Sequence, residues 1–344
     1  MSTTMKLDLS TDYGGLLLDT PIVVGASPMV TDARARACLA AAGAGAIVLP
    51  SVFEEQVIRW TRKMGRPITE REQALLTRSE RFHFRSTADN AEHYLALVER
   101  ASRQLAIPVI ASLNGYSANG WLDFAGELEQ AGAAGIELNV YHPPVDDYHG
   151  SGEIEDSIVA AVGEVNEAIA IPLFIKFERG DVSLPHLARR VCSVANGFVL
   201  YGRGPETDIC LENLKLKSTW DLTSPGTALQ LIDPIMRVHA NCPAISIAAS
   251  GGIAHADDVI KVLLAGADAA MITSELYRSG PTTIRTLLDG LLAFLQRHHF
   301  QSLRDLQLHR PLEFANDQQR VHYIAALSAR LKVACPLDSL SPRS

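Results

Sequence analysis

With 344 residues and 47% apolar composition, the chain carries enough apolar material for one large core, and a net charge of -8 supplies no positive field for nucleic acid or an anionic membrane. A small molecule is the expected partner. The five cysteines, Cys38, Cys192, Cys210, Cys242 and Cys335, form no C-x-x-C pair, so neither a metal-thiolate set nor a disulfide framework is expected. A polar amino terminus and the lack of any run of 18 apolar residues predict a cytoplasmic protein with no export signal and no membrane span.

In chain order, short apolar runs at residues 22–26, 46–49, 109–113, 136–140, 173–176, 198–201, 245–249 and 269–272 predict eight buried parallel strands. Helical patterns at 34–42, 121–131, 158–168 and 256–265 alternate with them. Glycines at the helix-to-strand joins, in Ala42-Gly43-Ala44-Gly45-Ala46, Ala131-Gly132-Ala133-Ala134-Gly135 and Ala265-Gly266-Ala267-Asp268-Ala269, permit left-handed helix ends and tight turns. An open doubly wound sheet uses the same device, whereas eight repeats point to closure. The expected fold class is therefore α/β: a (β/α)8 TIM barrel with inserted loops over 1–310 and a C-terminal helical tail over 311–344.

Connections 51–107 and 202–243 exceed plain barrel loops and are candidate lids or pocket walls, as is the polar loop 142–155. In the tail, a helical pattern at 318–331 could pack on the barrel or on a neighbouring subunit.

After the seventh strand comes Ala249-Ser250-Gly251-Gly252-Ile253, then a helix beginning near His255 whose positive end would face an anion. After the eighth comes Ile272-Thr273-Ser274-Glu275-Leu276, and phosphate sites in such barrels lie after these two strands. Lys176 ends the fifth strand among apolar neighbours and requires an anionic partner: the N1/O2 edge of a reduced flavin, a substrate phosphate, or a carboxylate such as Glu178. Asn114 and Asn139, at the carboxyl ends of two strands, could read a heterocycle or cap loops. Asp146, Asp147, Tyr148 and His149 lack the spacing of a metal set and read as a solvated lid, so no metal is expected.

These segments resemble, in order, the dihydroorotate dehydrogenase family, especially its soluble members. Tyr13-Gly14-Gly15-Leu16-Leu17-Leu18-Asp19-Thr20-Pro21-Ile22 resembles the family's amino-terminal hairpin, and Gly25-Ala26-Ser27-Pro28 its approach to the flavin. Ile136-Glu137-Leu138-Asn139-Val140-Tyr141-His142-Pro143 resembles its active loop, with His142 where the family has cysteine or serine. Lys176 falls on a flavin-contacting lysine, Ala249-Ser250-Gly251-Gly252-Ile253 on the phosphate turn, and Gly280-Pro281 with Phe300-Gln301-Ser302-Leu303 on the closing elements. The match spans roughly residues 7–306.

The resemblance implies FMN held by Ala26, Ser27, Ser51, Asn114, Asn139, Lys176, Ser250, Gly251, Gly252, Thr273 and Ser274. It implies an FMN-dependent oxidoreductase that takes (S)-dihydroorotate to orotate in pyrimidine biosynthesis, or acts on a related cyclic or enoate substrate. His142 and Lys176 would be catalytic, and Asn139, Ser193, Tyr201 and Arg203 would contact substrate. Pro144 and Cys192 stand where the family reads orotate with asparagines, and Pro50 where it has a lysine, so FMN binding survives the comparison better than dihydroorotate binding. A soluble electron acceptor or redox partner protein and a homodimer are the expected partners. Two other readings stay open: a flavin-free barrel forming a Schiff base through Lys176, and a non-catalytic flavin-binding accessory subunit.

Overall fold

A computed structural model of the chain describes residues 7–79, 91–115, 122–140, 150–178, 183–311, 321 and 324–326. It opens with a hairpin, β1 (Thr11–Tyr13) and β2 (Leu16–Leu18), whose turn glycines Gly14 and Gly15 take φ of 59° and 93°. Positive φ at both turn positions matches the twist of a two-residue hairpin, which is why glycine stands at each.

β3 (Ile22–Val24), α1 (Ala33–Ala41), β4 (Ala46–Phe53), α2 (Glu54–Lys63), α3 (Glu70–Ser79), α4 (Ala91–Gln104) and β5 (Val109–Gly115) follow. Next come α5 (Leu122–Gln130), β6 (Gly135–Val140), α6 (Ser151–Ala168), β7 (Leu173–Phe177), α7 (Leu184–Val191) and β8 (Gly197–Leu200). The chain then makes a second hairpin, β9 (Glu206–Cys210) and β10 (Lys215–Thr219), before α8 (Ile232–Asn241), β11 (Ser246–Ser250), α9 (Ala256–Ala265), β12 (Ala269–Ile272), α10 (Ser274–Ser279), α11 (Thr282–Arg297) and α12 (Leu303–Leu308).

The eight strands β3, β4, β5, β6, β7, β8, β11 and β12 form one closed parallel barrel, sealed where Ala270 of β12 pairs with Ile22 of β3. Runs such as Ile22-Val23-Val24 and Phe198-Val199-Leu200 are buried on both faces, as strands enclosed by helices must be. Strands lie within two residues of the expected positions at their starts. The connection after β4 holds three helices, and that after β8 holds a hairpin and α8, so neither is an unstructured loop. The expected polar loop 142–155 is shorter than read, because α6 already begins at Ser151.

The barrel interior is filled from below. Tyr13 and Leu18 of the first hairpin pack on Val23, Ala46, Val48, Ile110, Phe174 and Val199, and the Tyr13 ring stacks on Phe174 at 4.2 Å between centroids. Gly14 N–H donates to Ser246 Oγ at 2.9 Å, at the start of β11. The amino-terminal end of the barrel is thereby plugged among the described residues.

The chain divides into two compact units, Met1–Arg310 and Pro311–Ser344. In the second, Val321 and residues 324–326 are helical, and the rest of the expected 318–331 helix lies outside the described residues.

Candidate functional site

The carboxyl ends of the strands open on a cavity of about 780 Å³, a size typical of small-molecule sites. Ala26 and Ser27 line it after β3, Ser51 and Phe53 from β4, Asn114 from β5, Asn139 from β6 and Lys176 from β7. Asn114 pairs in register with Asn139, and Asn139 with Lys176, so alternation of side chains sets three polar groups side by side on one wall. The strands β4 and β5 shift register between Val48 and Ser51, across Pro50, which has no N–H to donate to the ladder. Ser51 Oγ and Ser112 Oγ meet at 2.8 Å beyond that irregularity.

The opposite wall comes from the last two strands. Register pairs Ser250 with Met271, which brings the turns 250–252 and 273–274 together at the rim of the same cavity. Gly252 has φ of 70°, and a Cβ there would lie 1.9 Å from Thr227 Oγ1, so the chain runs where only glycine fits. Gly25 is similarly confined, with a Cβ position 2.4 Å from Thr273 Oγ1.

At the amino-terminal end of α9, expected to face an anion, a carboxylate of the helix itself already holds the two N–H groups that precede it. Asp258, the third residue of the helix, accepts from Ala254 N–H at 3.0 Å and His255 N–H at 2.9 Å, as in a capping box.

A strap from the 202–243 connection, expected as a lid or pocket wall, crosses this rim. Ser274 Oγ accepts from Thr223 N–H at 3.0 Å, and Arg278 donates to Thr223 O at 2.6 Å, tying 220–223 to α10. Trp220, Asp221, Leu222 and Thr223 line the cavity as a result.

Lys176 finds its anionic partner on the neighbouring strand. Its Nζ donates to Glu137 Oε1 at 3.0 Å, with 12% and 1% of the two side chains exposed. Glu178, the carboxylate nearest in sequence, lines the cavity farther out, beyond the end of β7. Two buried acceptors beside this pair, Asn139 Oδ1 and Glu137 Oε2, have no hydrogen-bond partner among the described residues. Burial raises the ionisation of the Tyr13 and Tyr94 phenols above their ordinary range, and the Glu137 charge adds to both.

Tyr201 lies at the mouth as expected, continuing β8 through its N–H to Ser250 O at 2.9 Å. Arg203 also lines the cavity, but its guanidinium is spent on the base of the second hairpin, donating to Glu206 Oε1 at 2.8 Å and to Asp221 O. Ser193 is not brought to the cavity. It follows α7 and precedes β8, as does Cys192, and both are exposed at the amino-terminal end of the strand, so the residue at the mouth end of β8 is Tyr201. His142, Pro144 and the group Asp146, Asp147, Tyr148 and His149 lie outside the described residues. Glu137 went unread although its alternation with Asn139 in an apolar strand is a signal for an inward carboxylate.

Among the described residues there is no group of three or more His, Cys, Asp or Glu able to hold a metal, and no helix is long and apolar enough to cross a membrane. Fold and site together define a (β/α)8 barrel with a polar, lysine-bearing mouth and paired glycine-containing turns after its last two strands. No protein-family model matches the chain. Among curated proteins it is similar to one from Aeropyrum pernix named for dihydroorotate dehydrogenase A (fumarate), 26% identical over 217 residues, 61% of this chain and 70% of that one. It is similar to the catalytic subunit of dihydroorotate dehydrogenase B (NAD(+)) of Thermoplasma acidophilum, 22% identical over 303 residues, 87% of this chain and 97% of the relative. It also resembles dihydroorotate dehydrogenase A (fumarate) of Limosilactobacillus reuteri, 28% identical over 214 residues, 58% of this chain and 67% of the relative. The chain is thus similar, at 22%, 26% and 28% identity, to proteins named as dihydroorotate dehydrogenases.

Proposed function

We propose that the chain is an FMN-dependent oxidoreductase that acts on a carbon–carbon single or double bond of a small cyclic or enoate acid, with (S)-dihydroorotate as the reference substrate. The observation that carries this reading is one cavity holding both a glycine-shaped rim and a lysine–asparagine wall, formed from segments far apart in sequence. The residues fit the cofactor: Asn139 Oδ1 is a buried acceptor in need of a donor, and Gly25 and Gly252 keep side chains out of the rim.

FMN, when bound, supplies the acceptor for a hydride. The chain supplies the rest. Backbone at Gly251, Gly252, Thr273 and Ser274 would hold the phosphate, with Ser250 beside it, while Ala26, Ser27, Ser51 and Asn114 would shape the ring site. Lys176 and Asn139 would orient the ring edge, with the ammonium placed to stabilise negative charge there. His142 is the proposed proton-transfer group, two residues beyond the end of β6. Tyr201 would contact substrate in the space left by the changed amide readers, so that a substrate other than dihydroorotate would be accommodated by the same chemistry.

The names of the relatives pair the A type with fumarate and the B type with NAD(+), and call the latter a catalytic subunit. The proposal therefore includes a soluble acceptor or a redox partner protein, and a cytoplasmic homodimer in which the barrel is 1–310 and the tail 311–344. Anaerobic flavin bleaching against dihydroorotate, other dihydropyrimidines, 2-enoates and reduced nicotinamides, followed by reoxidation with fumarate or NAD+, tests it. His142→Ala should slow bleaching by about 100-fold or more with FMN occupancy retained. A colourless protein with no affinity for added FMN ends the reading.

A further inference from the structure

Glu137 is a carboxylate inside the barrel for which the reading above has no use. It precedes Asn139 by two residues on β6, so both side chains face the interior, and it pairs in register with Ser112 on one side and Phe174 on the other. A lone carboxylate at 1% exposure, or a lone ammonium at 12%, loses several kcal/mol of hydration, and each ion offsets the burial of the other only in good geometry. Here the geometry is one contact of 3.0 Å from Nζ to Oε1. One of the three N–H donors of Lys176 is thereby directed down into the barrel, and the two others are available to a ligand in the cavity above.

We propose that Glu137 is a positioning residue: it fixes where the Lys176 ammonium stands and subtracts from the positive field that the lysine projects on a ring bound in the cavity. The effect on the ring rests on the flavin reading; the coupling of Glu137 to Lys176 does not. Neutralising Glu137 while keeping an acceptor oxygen raises the net positive potential at the ring. Deleting the side chain's polarity altogether leaves the ammonium without an anchor.

The test compares the parent with Glu137→Gln and Glu137→Leu, checked for folding by thermal unfolding. Sulfite titration of the FMN-loaded proteins reports the field, because sulfite addition at N5 places negative charge on the ring. Glu137→Gln should bind sulfite about tenfold tighter than the parent, the size expected of one unit charge removed from behind the lysine. Glu137→Leu should bind it more weakly than the parent. Equal affinities across the three proteins overturn the proposal.

A second measurement needs no flavin: acetic anhydride labelling of the protein stripped of cofactor, read by peptide mass spectrometry as Lys176 against exposed Lys261. Only a free amine is acylated, so Lys176 should label several-fold faster in Glu137→Leu than in the parent. Unchanged labelling overturns the coupling. If the parent takes up no FMN, the proposed function fails on its own, and the labelling still decides for or against Glu137.

Discussion

Gly252 and Tyr94 show how single residues fix the rim and the wall of the cavity. At Gly252 the φ of 70° and the position of Thr227 Oγ1, 1.9 Å from where a Cβ would stand, exclude any side chain. Gly252→Ala therefore has both a strained backbone and a clash, and we expect FMN affinity, measured by fluorescence quenching, to fall at least tenfold with a loss of about 1–2 kcal/mol of stability. Tyr94 Oη donates to Ser112 O at 3.1 Å and accepts from Ser112 N–H at 2.8 Å, both buried, pinning β5 two residues below Asn114. Tyr94→Phe leaves two buried backbone groups without a partner and should cost about 1–3 kcal/mol in urea unfolding, whereas a drop below the error of the measurement contradicts the pinning. The sequence made the need of Lys176 for an anion legible, but not its address. Glu178 is near in the chain, whereas Glu137 is near only once β6 and β7 are paired in register, which is information held by the sheet rather than by either segment. Arg203 went the same way: an arginine after a strand reads as an anion site until Glu206 and the Asp221 carbonyl are seen to occupy it.

Elements with a strong apolar signal were readable and elements without one were not. The barrel strands are buried on both faces and so appear as unbroken apolar runs; Ala269–Ile272 and Ala256–Ala265 match the expected bounds residue for residue. The second hairpin gave no such signal, because Ile209 and Leu216, its one apolar cross-strand pair, are 56% and 80% exposed and the remaining strand residues are mostly polar. The helices after β4 were hidden for another reason: the segment was too long for a loop, and its length was taken for a lid. The first hairpin matters most to the site, since it decides which end of the barrel is open. Tyr13 is 1% exposed and stacked on Phe174, and truncating it to alanine should cost about 3–5 kcal/mol by emptying the plug. Urea midpoints of parent and Tyr13→Ala at equal m-value measure this, and a shift under 1 kcal/mol would mean that the plug is not part of the folding unit.

Closure of the barrel is a property of the whole chain, and glycine-rich joins alone left an open sheet equally acceptable; the pairing of β12 with β3 across some 250 residues of sequence is what decides it. The far end of the molecule is held by a polar network with a consequence for pH. Asp268, just before β12, accepts from Ile247 N–H at 3.0 Å and from Arg310 at 3.0 Å, and Arg310 also donates to Ala267 O at 2.6 Å. His239, near the end of α8, packs where a Cβ on Gly266 would be 2.7 Å away. Burial first, and the Arg310 charge second, hold its imidazole below the ordinary range, against the opposing pull of Asp268. The folded state therefore resists a proton that the unfolded chain accepts near pH 6.5. Above that pH both states are neutral at this group and stability is independent of it; as pH falls through 6.5 the unfolded state binds more protons and stability declines until the folded pKa is also passed. The lowered Asp8 carboxyl titrates below this window, and the raised Glu164 carboxyl acts with the opposite sign, because its folded state keeps a proton that the unfolded chain releases. His239→Gln should thus lose part of the decline in melting temperature between pH 7.5 and 5.5, whatever constant offset its repacking adds. Parallel melting profiles for the two proteins would show that His239 is not the group responsible.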